Sequence, residues 1–143
     1  MALPTPVPGL VISYAYLWRD ERRRGLEEGR KDRPCAIVLA VRDADGDELV
    51  YVAPITHAEP DDRTGIEIPS SVKRRLGLDT QRSWIVTDEL NRFVWPGFDL
   101  RAISRAKPDV FHWGFLPMEL FAALRQAIAA RQREGELRTV DRS

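Results

Sequence analysis

The chain has 143 residues, about the size of one domain, and its 43% hydrophobic and 31% charged residues are typical of a globular protein rather than a disordered one. The 22 basic and 22 acidic side chains give a formal net charge of zero, which argues against a protein that coats nucleic acid through a global basic field. An enzyme with a local basic groove remains compatible with this composition.

The cysteine content and the first residues bear on the cellular location. Cys35 is the only cysteine, so it has no partner for a disulfide or a metal-ligand pair, and we expect a small buried core residue in a reducing cytosol. The opening MALPTPVPGL lacks a basic and an apolar region of the kind found in signal peptides. The longest apolar run, 35–41, is far shorter than the ~20 residues that span a bilayer. We therefore expect a soluble, cytoplasmic protein with no membrane partner.

The first third of the chain is predicted to hold an arm, two strands and a loop. Three prolines in residues 1–9 predict an extended arm, and the β-branched and aromatic residues of 10–18 predict a strand. Residues 19–33 are almost all charged and lack an apolar stripe, so we expect an exposed loop. The unbroken apolar run 35–41 predicts a central strand that is buried on both faces.

A hairpin is predicted to follow. Asp45-Gly46 favours a tight turn, because glycine accepts a positive φ cheaply, and it joins 35–41 to a strand at 49–55 of equal length. The hairpin should bring the residues that precede the first strand beside those that end the second. Further short elements are expected, namely strands at 66–68, 83–88 and 92–95, a small helix over 69–79 with Gly77 at its C′ position, and a loop at 96–109.

The C-terminal part contains the clearest helix pattern. From Pro117, which is expected at the N1 position, one face carries the apolar residues Leu120, Phe121, Leu124, Ala127 and Ile128. The fold class is therefore mainly β with a C-terminal α-helix, arranged as a small antiparallel barrel covered by the helix. We predict one domain over 10–134, preceded by the arm at 1–9 and followed by a flexible tail at 135–143.

Candidate chemistry clusters at the predicted edge of the hairpin. Arg33 stands directly before the central strand, Pro34 biases it toward an extended conformation, and its guanidinium suits a phosphate or carboxylate. Thr56 ends the second strand at the same edge, and His57 beside it can exchange a proton near neutral pH. Alternatives remain open: Arg33 could pair with Asp32 or Glu28 at the surface, and Thr56 and His57 could have no role. With His57 and one distant histidine, a metal site built on histidine is not expected.

These residues belong to an ordered set of motifs. GLVISYAYLW, EEGRKDRPCAIVLAV, YVAPITH, WIVTDEL and the helix from Pro117 follow one another over residues 9–130. In this order and spacing the chain resembles the PemK/MazF family of type II toxins, whose members place a charged loop ending in Arg-Pro before an apolar strand and end a later strand in Pro-x-Thr. The resemblance implies an SH3-like barrel of the PemK/MazF/CcdB type that acts as a homodimer with a cognate antitoxin as partner.

The same resemblance implies an activity and the residues that carry it. The activity is an endoribonuclease that cleaves single-stranded RNA without metal or another cofactor, using the 2′-hydroxyl as nucleophile and leaving a cyclic phosphate and a 5′-hydroxyl. The implied catalytic residues are Arg33, Thr56 and a loop carboxylate, either Glu28, which we favour, or Glu27. The implied substrate-binding residues are Arg30, Lys31, His57 and Asp88.

Two other functions compete with the ribonuclease. The neutral net charge and the acid that follows Asp88 favour a non-catalytic interaction module on the same barrel, which would bind a protein and lack nuclease activity. A gyrase poison on this barrel is disfavoured, because the Arg-Pro and Pro-x-Thr pair is present. Cleavage of RNA that depends on Arg33 would separate the ribonuclease from both alternatives.

Overall fold

The structure is a computed structural model that describes residues 3–23 and 31–142. Within these ranges the chain forms, in order, β1 (Leu10–Tyr14), α1 (Arg19–Arg23), β2 (Arg33–Arg42), β3 (Glu48–Thr56), β4 (Gly65–Glu67), α2 (Ser70–Leu76), β5 (Trp84–Val86), β6 (Glu89–Val94), β7 (His112–Phe115), α3 (Met118–Arg133) and β8 (Arg138–Asp141). None of these helices combines the length and the apolar content needed to cross a bilayer.

The strands form one sheet in the order β4-β5-β3-β2-β1-β7, and β6 pairs with β3 and with β8. Each pairing is antiparallel except that of β6 with β8, which is parallel. The prediction of a mainly antiparallel β fold with a C-terminal helix is confirmed. In the described ranges the sheet does not close, because β4 and β7 lie at the two ends of the path.

The β2–β3 hairpin is the centre of the sheet, and its turn is the predicted one. Gly46 has a φ of 84°, a value that a residue with a side chain rarely adopts. The carboxylate of Asp43 accepts hydrogen bonds from the backbone N–H groups of Asp45 and Asp47, each at 2.9 Å. The turn therefore satisfies its own backbone donors, and this fixes how β2 and β3 align.

Core side chains pack on both faces of the sheet. One face packs against α3 through Leu124 and Ile128. The opposite face holds a second cluster, in which the rings of Tyr14 and Phe93 stack at a centroid distance of 4.6 Å. Residues 35–38 of β2 alternate between the two clusters, which confirms a central strand buried on both faces there. The prediction is wrong for the end of the apolar run, because Leu39 and Val41 are about 40% exposed. Cys35 is fully buried in the second cluster, and this burial raises the pKa of its thiol above the ordinary value.

The segment after β1 differs from its prediction. The strand expected over 10–18 ends at Tyr14, although Leu17 remains completely buried. Leu17 lies outside the sheet, and the side chain of Asn91 provides the hydrogen bonds to its backbone that a neighbouring strand would otherwise provide. Asn91 Oδ1 accepts from Leu17 N at 2.9 Å, and Asn91 Nδ2 donates to Leu17 O at 2.8 Å.

The prediction of an exposed loop over 19–33 is wrong for its first residues, which form α1. This single turn has no apolar stripe. It begins instead with a cap, since Trp18 N donates to the carboxylate of Glu21 at 3.1 Å, and Glu21 is only 6% exposed. The sequence does not indicate which carboxylate in a run of charged residues will be buried and bound to the backbone.

Two strands were not predicted. β7 pairs with β1, although Gly114 in its middle has a φ of 126° and breaks the apolar pattern. The prediction of a flexible tail over 135–143 is wrong for residues 138–141, which form β8. This strand pairs with β6 and buries Val140, which is 6% exposed. α3 begins at Met118, one residue later than predicted, so Pro117 occupies the N-cap position and not N1.

Candidate active site

Arg33 is the first residue of β2, and its guanidinium is incompletely satisfied. Its Nη1 donates a long hydrogen bond of 3.5 Å to the carbonyl of Ile55, and its Cζ lies 5.0 Å from the centroid of the Trp18 ring. The Nε atom is buried and has no hydrogen-bond partner within the described ranges. Asp32, the alternative surface partner of Arg33, has its carboxylate 3.6 Å from Arg101 instead. A buried N–H without an acceptor is costly, so an anionic ligand could stabilise this side chain.

Thr56 lies at the same edge of the sheet, at the end of β3. The hairpin register pairs Cys35 with Pro54, and two further residues along it place Arg33 opposite Thr56 on the same face. Thr56 Oγ1 accepts a hydrogen bond from Ala58 N at 3.1 Å. Because this contact uses the oxygen as an acceptor, the hydroxyl hydrogen stays available to a ligand.

A cleft of about 200 Å³ opens beside Arg33. We call it the Arg33 cleft; its walls are Lys31, Asp32, Arg33, Pro34, Ile55, His57, Lys73, Leu78, Asp79 and Ser83. A larger cavity of about 680 Å³ shares five of these residues and is also lined by Arg101, Arg105 and Trp113. The structure thus brings Lys31 and His57 together with Arg33, and it places their cleft beside a larger cavity.

His57 does not stand alone in this cleft. Its Nε2 lies 2.7 Å from Asp79 Oδ2, and the other oxygen of that carboxylate, Oδ1, accepts from Lys73 Nζ at 2.5 Å. The Lys73 side chain is buried, and its ammonium group also binds Ser83 Oγ at 2.7 Å and the carbonyl of Gln81. Three acceptors therefore match the three ammonium hydrogens, and this holds Asp79 in place.

The charges around Asp79 shift its titration. Burial acts to raise the pKa of Asp79, but the hydrogen bond and charge of Lys73 outweigh it, and His57 acts in the same direction as Lys73. The net effect is a pKa below the ordinary value of an aspartate. Asp79 is therefore an anion at neutral pH, and one of its oxygens lies 2.7 Å from His57 Nε2.

Some predicted site residues lie elsewhere. Glu28, its alternative Glu27, and Arg30 fall outside the described residues. Lys31 is exposed at the rim of the Arg33 cleft. Asp88 lines neither the cleft nor the adjoining cavity, and Thr56, although it lies at the same edge of the sheet, lines neither of them.

Asp88 has a different environment, near the C-terminal end of α3. Its backbone carbonyl accepts from Arg138 N at 2.9 Å. Burial raises the pKa of its carboxyl, and the positive charge of Arg131 opposes that effect. Asp61 adds to the rise. The position of Asp88 is explained by packing between β6 and the segment that follows α3.

Lys73 and Asp79 were missed as site residues. The sequence places Lys73 in the basic last turn of a short helix, a pattern typical of exposed residues. Asp79 follows Gly77, whose φ of 78° turns the chain out of α2 and toward the cleft. The sequence does signal the end of α2, because Gly77 is typical of a residue that ends a helix in the left-handed conformation. It does not give the direction of the chain after Gly77, which depends on packing.

The described residues contain no group of three or more His, Cys, Asp and Glu side chains arranged to hold a metal ion. Comparison with known proteins adds no identification. No family model matches the chain, and no curated protein matches it. The likeness to PemK/MazF toxins therefore rests on the motif residues alone.

Proposed function

We propose that the protein is an endoribonuclease that cleaves single-stranded RNA at the Arg33 cleft, without a metal, by attack of the 2′-hydroxyl on the adjacent phosphorus. The products would be a cyclic phosphate and a 5′-hydroxyl end. The observation that carries this proposal is the half-buried Arg33 guanidinium, whose Nε has no acceptor among the described residues. A phosphate oxygen is a strong acceptor for it.

The reaction builds negative charge on a pentacoordinate phosphorus. Arg33 would stabilise this charge, and its stacking on Trp18 holds the guanidinium ready, so little reorganisation is needed. Thr56 would donate its free hydroxyl hydrogen to a phosphate oxygen. Glu28 would help to remove the 2′-hydroxyl proton as the new P–O bond forms and the bond to the 5′ oxygen breaks.

The proposal includes the setting that the motif resemblance implies. The open antiparallel sheet with its C-terminal helix would be a variant of the SH3-like barrel. The protein would act in the cytoplasm as a homodimer, and a cognate antitoxin would block it by laying an acidic segment across the basic groove. Arg101 and Arg105 in the larger cavity support a long anionic partner, RNA or antitoxin, rather than a mononucleotide.

The test is a cleavage assay on a long mixed-sequence RNA in EDTA. Wild-type protein should give discrete fragments with 5′-hydroxyl ends. Arg33→Ala should cleave about 10²-fold more slowly or worse, as enzymes do when one donor to a developing oxyanion is lost. Arg133→Ala is the matched control, because this arginine is exposed near the end of α3 and away from the cleft.

The outcome also separates the alternatives. An Arg33→Ala protein that folds normally and cleaves at the wild-type rate would contradict the assigned role of Arg33. Folded wild-type protein that leaves RNA intact would favour the interaction module on the same fold. Growth arrest on expression without RNA decay would instead favour a gyrase poison.

A further inference from the structure

We infer that His57, held by Asp79, is the general acid that protonates the departing 5′ oxygen. This inference rests on the proposed ribonuclease function and adds a step to it. The sequence predicts that His57 binds substrate and that it can exchange a proton near neutral pH, while the proposed mechanism assigns removal of the 2′-hydroxyl proton to Glu28. The departing 5′ oxygen also needs a proton donor, and RNA cleavage is slow without one.

The position of His57 is fixed by the chain on both sides of it. Thr56, directly before it, accepts a hydrogen bond from Ala58, directly after it, at 3.1 Å. This tight turn sets the direction in which the ring leaves the backbone. The ring itself is about half exposed, with a side-chain exposure of 47%, so an RNA phosphate can approach it.

The ring orientation is fixed by its contact with Asp79. His57 Nε2 lies 2.7 Å from Asp79 Oδ2, within reach for an Nε2–H to donate to that oxygen, and no hydrogen bond of Nδ1 is found among the residues that the structure describes. A carboxylate on one ring nitrogen selects the tautomer and stabilises the ring when the second nitrogen also carries a proton. Nδ1 is thus the atom that can give a proton to a ligand.

Asp79 is itself immobilised, and this distinguishes the pair from a chance contact at the surface. Its Oδ1 accepts from Lys73 Nζ at 2.5 Å and from Gln81 N at 3.2 Å, while Oδ2 is left to His57. Lys73 is only 4% exposed and is anchored by Ser83. A buried lysine that fixes a carboxylate, which in turn holds a histidine, is a costly arrangement for a surface loop.

The cleft places this donor next to the proposed phosphate site. Arg33 and His57 line the same space of about 200 Å³. With a phosphate on Arg33, the 2′ oxygen would bond to phosphorus while the bond to the 5′ oxygen breaks. The electron pair of that bond stays on the 5′ oxygen, and the Nδ1 proton of His57 moves to it. The products are the cyclic phosphate, the 5′-hydroxyl and a neutral imidazole, which regains its proton from water.

The test changes the leaving group of the RNA substrate as well as the protein. Once wild-type protein has mapped a cleavage site, two short RNAs are made around it, one natural and one with sulfur in place of the bridging 5′ oxygen. A thiolate leaves without protonation, so it does not need a general acid. His57→Ala should lose about 10²-fold or more on the natural RNA and cleave the sulfur RNA at close to the wild-type rate.

Two further variants complete the design. Asp79→Asn should show the same selectivity for the sulfur RNA with a smaller loss, because it weakens the orientation of His57 without removing the ring. Glu59→Gln, on the same loop but outside the cleft, should cleave both RNAs like wild type. Thermal unfolding of each variant shows whether it is folded, and the large exposure of His57 favours normal folding of His57→Ala.

The outcomes are distinct from those that test the proposed function. Equal activity of His57→Ala and wild type on the natural RNA would overturn the inference and leave the ribonuclease intact. Equal loss on both RNAs would also overturn it, because His57 would then act in binding or in proton removal. Wild-type protein that cleaves no RNA would refute the proposed function and the inference together.

Discussion

Replacement of Asp79 by alanine tests the network that holds the cleft together. Lys73 would stay buried with Ser83 and Gln81 as acceptors, but it would lose its counter-ion. Removing one partner of a fully buried pair costs about 3–5 kcal/mol. Because the Asp79 side chain is 53% exposed, water can replace part of the lost contact. We therefore expect a loss of about 2 kcal/mol, the value of a charged hydrogen bond.

The assay is urea unfolding at pH 7, where a loss of about 2 kcal/mol lowers the midpoint by roughly 1 M. The matched control is Asp62→Ala, an exposed acid on a nearby loop, which should stay within about 0.5 kcal/mol of wild type. The double variant Lys73→Met with Asp79→Ala should recover part of the loss, because it removes the uncompensated charge. A loss below about 0.5 kcal/mol in Asp79→Ala would refute the reasoning.

The same network gives the direction of a pH dependence. The pKa of Asp79 is lower in the folded protein than its ordinary value, so the contribution of Asp79 is fully present above that ordinary value, about 3.9. It is lost as the pH falls through the depressed pKa of the folded state. The stability difference between wild type and Asp79→Ala should accordingly shrink below about pH 4.

Two further substitutions test the parts of the fold that differ from prediction. Asn91→Leu leaves the buried N–H and C=O of Leu17 without the partners that Asn91 provides. We expect urea unfolding to show a loss of about 2–4 kcal/mol in the free energy of unfolding. The control, Gln132→Leu on the exposed surface, should leave that free energy nearly unchanged. Val140→Ala should lower the free energy of unfolding by about 1.5 kcal/mol, at about 0.8 kcal/mol per buried carbon. Its control is the exposed neighbour Thr139→Ala, which should lower it by less than about 0.5 kcal/mol. Equal, negligible losses in both variants would favour a flexible tail over the strand β8.

Local sequence signals predicted those elements whose partners are near in the chain. The β2–β3 hairpin follows from Gly46 and two apolar runs of equal length, and α3 follows from its apolar face. β8 has one buried residue, Val140, and pairs in parallel with a strand that lies more than 40 residues earlier, so no local pattern marks it. In β7, Gly114 interrupts the alternation. β7 and β8 form because each can pair with the edge of a strand already in the sheet. The intrinsic β-propensity of their residues contributes little.

In the candidate site, too, the contacts that could be predicted are those between residues of one local element. Arg33 and Thr56 could be brought together from the sequence because one hairpin carries both. The contact between His57 and Asp79 could not, since it depends on how the chain leaves α2 at Gly77. Lys73 appeared as an ordinary basic residue near a helix end, and only the fold shows that its ammonium group is buried against three acceptors.

The hairpin register decides which side chain faces Arg33, and one extra residue sets it. Near the turn, Arg42 pairs with Glu48, and this alignment continued to the far end would place Arg33 opposite His57. The register shifts between Ile37 and Leu39, where β2 carries one residue more than β3. Beyond that bulge the partner of Arg33 becomes Thr56. The bulge thus sets Thr56, and not His57, opposite Arg33, and it leaves His57 in the turn, where its Nε2 lies 2.7 Å from Asp79 Oδ2.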